Sequence, residues 1–203
     1  MTTAVLAHPA LDFDPESHIY TRRSDGVAVP HWHQIAEAEG IFDPRWIPGW
    51  ALDRGTTVHL ACEAWENGTL GEYEWEPWVD DYLGGFRTWY ADSRPELIAS
   101  ERIVCHTVEN YACRLDRIYR LGEFDIPCIV EIKTGKHNRS YALQTAAQML
   151  AAMHEGLVTA CDRAALCLPG DGTYKFHPHE SAGDEDVALG SVRLFHWKRR
   201  TQK

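Results

Sequence analysis

The apolar and polar positions of this chain follow two periods, one typical of strands and one typical of helices. Short apolar or alternating runs predict β-strands at 101–108, 111–121, 126–134, 160–168 and 173–177. Amphipathic stretches predict longer helices at 55–66, 77–91, 140–155 and 185–200. This order of elements predicts an α/β fold with a mixed central β-sheet flanked by helices.

The first fifty residues carry a turn signal and a short helix. Asp25-Gly26 lies between two apolar runs and predicts an N-terminal β-hairpin. A short helix is predicted at 33–39 and a proline-containing loop at 44–50, and Asp53 is a candidate N-cap for the helix at 55–66. We interpret 1–203 as a single domain in which 1–50 embellish a core of 51–200.

The strand at 126–134 contains two charged residues one position apart. Glu131 and Lys133 project from the same face of a strand, whereas Ile132 points the other way into the core. Such a triplet alone is more often a solvated pair on an exposed sheet face. The surrounding Ile and Val residues favour a central strand, where charges are costly unless they are paired or metal-bound.

A second carboxylate comes from the preceding strand. Asp116 follows an apolar run, and hairpin pairing of the two strands would bring it beside Glu131 and Lys133. Two carboxylates and a lysine suit a hard divalent cation that activates water against a phosphodiester.

Two pairs of polar residues on predicted helices do not by themselves identify a functional site. His59 and Glu63 share a helix face, and the usual interpretation is a surface pair or a buried histidine with satisfied hydrogen bonds. Gln144 and Gln148 also share a face, as on any ordinary polar helix side.

The charge balance limits how the chain can bind nucleic acid. The formal net charge is -10 and the pI is near 5.5, which argues against a protein that coats DNA over its whole surface. An enzyme that touches DNA in one groove remains open. The basic residues that gather around the candidate site are Arg102, Arg114, Arg117, Arg120, Lys133, Lys136 and Arg139.

Cysteine usage and hydropathy indicate a cellular compartment. The six cysteines form no C-x-x-C motif and lie mostly in apolar runs, so we expect buried free thiols in a reducing compartment. We find no signal peptide and no long apolar segment, and we therefore expect a cytoplasmic protein without membrane contact.

Several elements, taken in chain order, resemble one nuclease family. They are Gly55-Thr56-Thr57-Val58-His59, then Glu101, Arg114-Leu115-Asp116-Arg117-Ile118, Val130-Glu131-Ile132-Lys133-Thr134-Gly135 and Tyr141-Ala142-Leu143-Gln144. Together they resemble the RecB-like and lambda-exonuclease-like branch of the PD-(D/E)XK nuclease superfamily, in particular its phage-encoded members. The resemblance covers roughly residues 13–153 and implies a restriction-endonuclease-like core.

The resemblance implies a metal centre that the chain itself would ligate. Its ligands would be His59, Asp116, Glu131 and the carbonyl of Ile132, and Glu101 would be an additional acid that acts through a second ion. Oxygen ligands with one histidine favour one or two Mg²⁺ or Mn²⁺ ions.

The resemblance also implies roles for groups beside the metal. Lys133 would orient or help deprotonate the attacking water and stabilise charge on the phosphate. Gln144 would position Lys133, the water or the DNA. The residues expected to contact DNA are Arg114, Arg117, Arg120, Lys136, Arg139 and Tyr141.

Three features depart from the family pattern. Arg114 occupies a position where many relatives carry glycine, and Gln148 one where they often carry tyrosine. Some relatives hold an iron–sulfur cluster through one early and three late cysteines, but only Cys161 and Cys167 lie late here. We therefore expect no iron–sulfur cluster.

The leading interpretation is a metal-dependent deoxyribonuclease, more specifically an exonuclease of recombination or DNA processing. It implies DNA and a phage or host recombination protein as partners, with a homo-oligomer as an option that rests on analogy alone. The alternatives are a catalytically silent nucleic-acid-binding module of the same fold, a structure-specific endonuclease and another type of metal hydrolase.

Overall fold

The computed structural model describes residues 8–15, 17–122 and 126–201 and has a mixed α/β fold. The N-terminal part contains β1 (Leu11–Asp14), β2 (Ile19–Arg22), β3 (Ala28–Val29), α1 (Trp32–Ala38), α2 (Gly49–Glu66) and α3 (Val79–Ser93). The remaining elements are β4 (Glu96–His106), β5 (Tyr111–Arg120), β6 (Pro127–Lys133), α4 (Ser140–His154), β7 (Asp162–Cys167), β8 (Lys175–Pro178) and α5 (Gly183–Thr201).

Two sheets account for all of these strands. The central sheet has the order β4-β5-β6-β7-β8, in which β6 and β7 are parallel and every other pair is antiparallel. Helix α4 supplies the long crossover that the parallel β6–β7 pair requires. The order confirms the predicted mixed sheet and makes β6, which carries Glu131 and Lys133, its central strand.

Helices cover both faces of the central sheet. On one face α2 and α3 pack on the sheet through a cluster that includes Val58, Leu83, Phe86 and Val130. On the other face α1, α4 and α5 pack through a cluster that includes Ile35, Leu115, Ala147 and Val192. The buried faces of β6 alternate between these two clusters, with Ile129 in one and Val130 in the other, as strand geometry requires.

The N-terminal hairpin is confirmed and is part of a larger sheet. Strands β2 and β3 pair antiparallel around Gly26, whose φ of +70° is a conformation that glycine adopts at little cost. Strand β1, which the sequence did not indicate, adds to β2 to make a three-stranded sheet. Buried side chains of this three-stranded sheet, among them Leu11, Tyr20 and Val29, pack on β4 and β5.

Two predicted boundaries were wrong. Helix α2 begins at Gly49 with Pro48 as its N-cap residue, so Asp53 lies inside the helix and not at its start. The first turns expose Trp50 and Leu52, which hid the helical period from the sequence pattern. Strand β4 begins at Glu96, five positions before the predicted start at residue 101. It is an edge strand whose register shifts between Leu97 and Ala99, and this irregularity interrupts the alternating pattern of a strand.

The cysteines are free, as expected. Five of the six are buried and Cys161 is half-buried. Within the described ranges, no helix combines the length and the apolar character that a membrane span needs.

Candidate active site

The candidate site forms where β5 and β6 separate. Backbone pairing of these strands extends from Arg120–Pro127 to Arg117–Val130 and ends there. One residue further, the Asp116 carboxylate replaces the missing backbone partner, and its Oδ2 accepts the N–H of Ile132 at 2.8 Å. The gap between the strands is therefore held open by a carboxylate that is 5% exposed.

Two carboxylate side chains and one imidazole side chain converge at this gap. His59 of α2, Glu101 of β4 and Asp116 of β5 each present a ligand atom, and these atoms lie within 4.8 Å of one another. The Nδ1 of His59 is 3.6 Å from Oδ1 of Asp116. His59 thus lies beside Asp116, and the set combines two carboxylates with one imidazole, a donor set that suits Mn²⁺ or Mg²⁺.

The hydrogen bond of His59 fixes which ring nitrogen can bind a metal. Its Nε2 lies 2.9 Å from the carbonyl oxygen of Ile132. Since a carbonyl oxygen can only accept, Nε2 carries a proton, and Nδ1, on the side of Asp116, is the nitrogen that can bind a metal. Metal-binding histidines commonly donate their other N–H to a carbonyl in this way. The Ile132 carbonyl, expected as a direct ligand, thus also holds His59 in the binding tautomer.

Glu131 and Lys133 form the second half of the site. Lys133 Nζ donates to Oε1 of Glu131 at 2.9 Å and to Oε1 of Gln144 at 3.1 Å. Gln144 Nε2 also donates to Oε1 of Glu131, and Gln148 Nε2 donates to its Oε2 at 2.7 Å. The side chains of Glu131 and Lys133 meet on one face as the i, i+2 spacing predicted, and two glutamines of α4 fix their orientation.

The carboxylates of Glu101, Glu131 and Asp116 differ in whether a basic side chain neutralises them. Glu101 pairs with Arg114 at 3.2 Å, and Glu131 pairs with Lys133. In the described part of the chain, Asp116 contacts the Ile132 N–H and the His59 ring and forms no ion pair with a lysine or an arginine. A buried carboxylate without a cationic partner is costly, and a divalent cation at this position would remove that cost.

The pKa values follow from this imbalance. Burial, together with the charge of Glu131, raises the pKa of Asp116 to about 6. Burial also disfavours the ionised form of Glu131, but Lys133 and the hydrogen bond from Gln148 outweigh it and lower the pKa of Glu131. Burial disfavours protonated Lys133, but Glu131 and Asp116 outweigh it and raise the pKa of Lys133. Lys133 is therefore a cation at neutral pH and acts through its charge.

Glu101 is held in a strained backbone conformation. Its φ of +47° is left-handed although it lies within β4, and continuation of the β4–β5 register places it across from Asp116. A non-glycine residue in this region costs about 1–3 kcal/mol, and such residues cluster at functional sites. The conformation turns the Glu101 carboxylate toward Asp116 and His59.

Arg117 corrects the expected DNA-binding set. Its side chain is 0% exposed; its Nε donates to Oε2 of Glu66 at 2.7 Å and its Nη1 to Oε1 of Glu101 at 3.0 Å. A guanidinium enclosed by two carboxylates cannot reach a phosphate, so the predicted DNA contact was wrong. Arg117 instead holds Glu101 in place through a buried ion-pair network.

Arg120 also lies away from the site. It pairs with Glu96 and occupies the last position of β5, opposite the first residue of β6. Four residues of strand separate it from Asp116, or roughly 13 Å at about 3.3 Å per residue. Strand direction therefore places Arg120 at the opposite end of the β5–β6 pair, and its contact with DNA stays a prediction.

Arg114, Lys136 and Tyr141, three of the expected DNA-binding residues, lie near the site, and Arg139 follows Lys136 in the chain. Arg114 is partly exposed and ion-paired with Glu101. Lys136 and Arg139 are exposed in the segment that follows β6. Lys133 Nζ lies 4.9 Å from the ring centroid of Tyr141, at cation–π distance.

Sequence reasoning missed Glu66, which organises the network behind the site. It is 3% exposed, and besides Arg117 it accepts a hydrogen bond from the hydroxyl of Tyr119. His59 and Glu66 are seven positions apart and thus share the helix face of α2 that meets β5. That spacing was the signal available in the sequence.

We expect Glu66→Ala to lower the free energy of unfolding by about 3–5 kcal/mol, because the buried Arg117 guanidinium loses one of its two carboxylate partners. Urea unfolding at neutral pH measures this loss. Glu37, exposed on α1, supplies the matched control, since Glu37→Ala should change stability by about 0.5 kcal/mol or less. A similar small change in both variants would show that Arg117 does not depend on Glu66.

The site opens into a cavity of about 370 Å³ that the sequence did not predict. The residues that line the cavity include the candidate metal ligands His59, Glu101, Asp116 and Glu131 and the two glutamines of α4. The wall comes from the N-terminal sheet and the start of α1, and it includes His18, Tyr20, His31 and His33. The embellishment therefore shapes the entrance to the site.

Comparison with known proteins gives similarity to solved structures at low sequence identity. No family model and no curated protein match the chain. The structure of LHK-Exo in complex with dAMP shows 14% identity and a TM-score of 0.44, over 86% of this chain and 93% of that chain. A structure described as an alkaline exonuclease (LHK-Exo) from Laribacter hongkongensis shows 15% identity and a TM-score of 0.36, over 85% and 92%. Because both TM-scores lie below 0.5, the function has to be inferred from the residues of this chain.

Proposed function

We propose that this chain is a divalent-metal-dependent nuclease that hydrolyses phosphodiester bonds in DNA. One observation carries the proposal: the ligand atoms of His59, Glu101 and Asp116 lie within 4.8 Å of one another, and Glu131, ion-paired with Lys133, lines the same cavity. A purely structural role does not account for this arrangement, because Asp116 is buried, forms no ion pair with a lysine or an arginine among the described residues and has a raised pKa, although the His59 ring lies 3.6 Å away.

The ion that fits the donor set is Mg²⁺ or Mn²⁺, held by His59, Asp116, Glu101 and Glu131. When bound, such an ion lowers the pKa of a water molecule and stabilises negative charge on a phosphate. The second oxygen-rich position, around Glu131, is the place for a second ion if two are used. Glu101 is ion-paired with Arg114, and Glu131 with Lys133.

Lys133 supplies positive charge to the reacting phosphate. Its ammonium group is fixed by Glu131 and Gln144 and remains protonated at neutral pH. A protonated amine has no lone pair for a metal, so it acts by orienting water and by stabilising charge that develops in the transition state. Gln144 is a positioning residue that holds this lysine.

DNA would approach through the exposed cations near the site. Arg114, Lys136 and Arg139 supply the positive charge, and Tyr141 supplies an aromatic ring. The net charge of -10 would repel a duplex on most other surfaces. We therefore propose a local contact with few phosphates. DNA, and not RNA, as the substrate rests on the resemblance of the sequence motifs.

We further propose that the enzyme is an exonuclease and needs a free DNA end, a feature that also rests on the motifs. With Mg²⁺ or Mn²⁺, end-labelled linear duplex should be degraded while covalently closed circular duplex stays intact, and EDTA should stop the reaction. An RNA duplex of the same sequence and the Asp116→Asn variant serve as controls.

Each outcome of this assay has a clear meaning. Nicking of the closed circle would make the chain an endonuclease and overturn the requirement for an end. Cleavage of both linear and circular DNA in EDTA would overturn the metal dependence. A lack of cleavage under every condition would favour the silent nucleic-acid-binding module.

A further inference from the structure

Three histidines meet at the edge of the sheet, beyond the candidate active site. His137 lies in the segment between β6 and α4, and His177 and His179 lie on or beside the edge strand β8. The Nε2 atoms of His137 and His179 are 3.4 Å apart. Two imidazoles on one tetrahedral ion, with metal–nitrogen bonds of about 2.0–2.1 Å, place their nitrogens about 3.4 Å apart.

One contact of His179 is compatible with a metal-binding tautomer. The hydroxyl of Thr145 donates to the carbonyl oxygen of Ala142 at 3.1 Å, and the same oxygen lies 2.8 Å from Nδ1 of His179. In the tautomer in which Nδ1 donates to Thr145, Nε2 carries the lone pair and faces His137. Thr145 would then hold the ring as such partners do for metal-binding histidines.

His177 supplies a third nitrogen. Its Nε2 is buried and has no hydrogen-bond partner among the described residues. Its ring centroid is 4.3 Å from that of His137, but the three histidines do not present nitrogens that all lie within 4.8 Å of one another, so ligation by all three requires the His177 ring to turn. A buried ring nitrogen without a partner costs free energy, and a bound ion would satisfy it.

The charges around the three histidines permit a bound cation. The nearby charge of Arg163 is offset by Asp184 and Glu185, to which it is ion-paired.

We propose that His137, His177 and His179 form a second metal site for a transition ion of the Zn²⁺ class. Three imidazoles and no carboxylate select a softer ion than the oxygen-rich site around Asp116. The ion would tie the segment that follows Lys133 to the edge strand β8. Its role is therefore to hold that segment, and not to take part in hydrolysis.

The test is calorimetric titration with ZnCl₂ alone in the Asp116→Asn background, where the oxygen-rich site is weakened. We expect His137→Gln and His177→Gln each to weaken Zn²⁺ binding by about tenfold or more. His137 is exposed, so its replacement leaves the fold intact. His154→Gln is the matched control, because His154 is also exposed and its ring is stacked on that of another histidine, His106, at 4.1 Å.

Unchanged affinity in His137→Gln and His177→Gln, or an equal loss in His154→Gln, would overturn the proposal. No measurable Zn²⁺ binding would also overturn it. The contact between His137 and His179 would then be a hydrogen bond and nothing more. The readout is heat of binding and not cleavage, so it does not depend on the proposed nuclease activity.

Discussion

Replacing Lys133 with methionine is expected to lower the rate of DNA cleavage by about 10²–10³-fold, the usual cost of removing one group that stabilises transition-state charge. Methionine keeps most of the side-chain volume and removes the ammonium group that Glu131 and Gln144 hold in place. Because Lys133 is protonated, it is not a metal ligand, and Mn²⁺ affinity should be kept. Single-turnover cleavage and Mn²⁺ calorimetry on the same preparation measure the two effects.

Lys175 provides a control for the loss of one positive charge. It is exposed on β8, and Lys175→Met should leave the cleavage rate unchanged. Near-normal turnover of Lys133→Met would remove the lysine from the mechanism. A parallel loss of cleavage and of Mn²⁺ affinity would instead assign it to metal binding.

Asp116→Asn should abolish measurable cleavage and at the same time stabilise the metal-free protein. The pKa of Asp116 is raised from 3.8 to about 6, so its ionised form costs folding free energy. A shift of this size corresponds to an upper limit of about 3 kcal/mol, and we expect a gain on the order of 1–2 kcal/mol. Asparagine can still accept the Ile132 N–H through its side-chain oxygen.

The pH dependence of this gain follows from the direction of the shift. A carboxyl group whose folded-state pKa is raised destabilises the native protein as pH rises above the unfolded value, and the loss is complete above the folded value. The advantage of the asparagine variant should therefore be full above about pH 6 and should shrink toward pH 4.

Urea unfolding in EDTA at pH 7.5 and pH 4.5 tests this dependence. Asp53→Asn, at an exposed position of the same α2 helix that carries His59, is expected to show no gain at either pH. Equal stability of wild type and Asp116→Asn at pH 7.5 would mean that Asp116 is not strained by its surroundings.

The local part of the site could be predicted from the sequence. The period of two along β6 was enough to bring Glu131 and Lys133 together, and the period of helix α4 was enough to place Gln144 and Gln148 on one face. Both are properties of single elements, which short-range patterns determine. The sequence also predicted that β6 is a central strand, because Ile and Val residues surround its charged positions and such an apolar strand is seldom an exposed edge.

The remaining features depend on contacts between distant elements. Whether Arg117 turns to solvent or to Glu66 depends on how α2 lies across β5, fifty-one positions away along the chain. The left-handed φ of Glu101 and the cavity wall from the N-terminal sheet have the same origin. A basic residue next to a catalytic acid looks the same in sequence whether it binds phosphate or holds the acid.

The most direct test of the metal site is anomalous scattering from crystals grown with MnCl₂. The account predicts a manganese peak within about 2–2.6 Å of a carboxylate oxygen of Asp116, with Nδ1 of His59 as a neighbouring ligand. It also predicts that the peak disappears in Asp116→Asn crystals. A manganese peak elsewhere, or none beside Asp116 at a concentration that supports cleavage, would contradict the proposed centre.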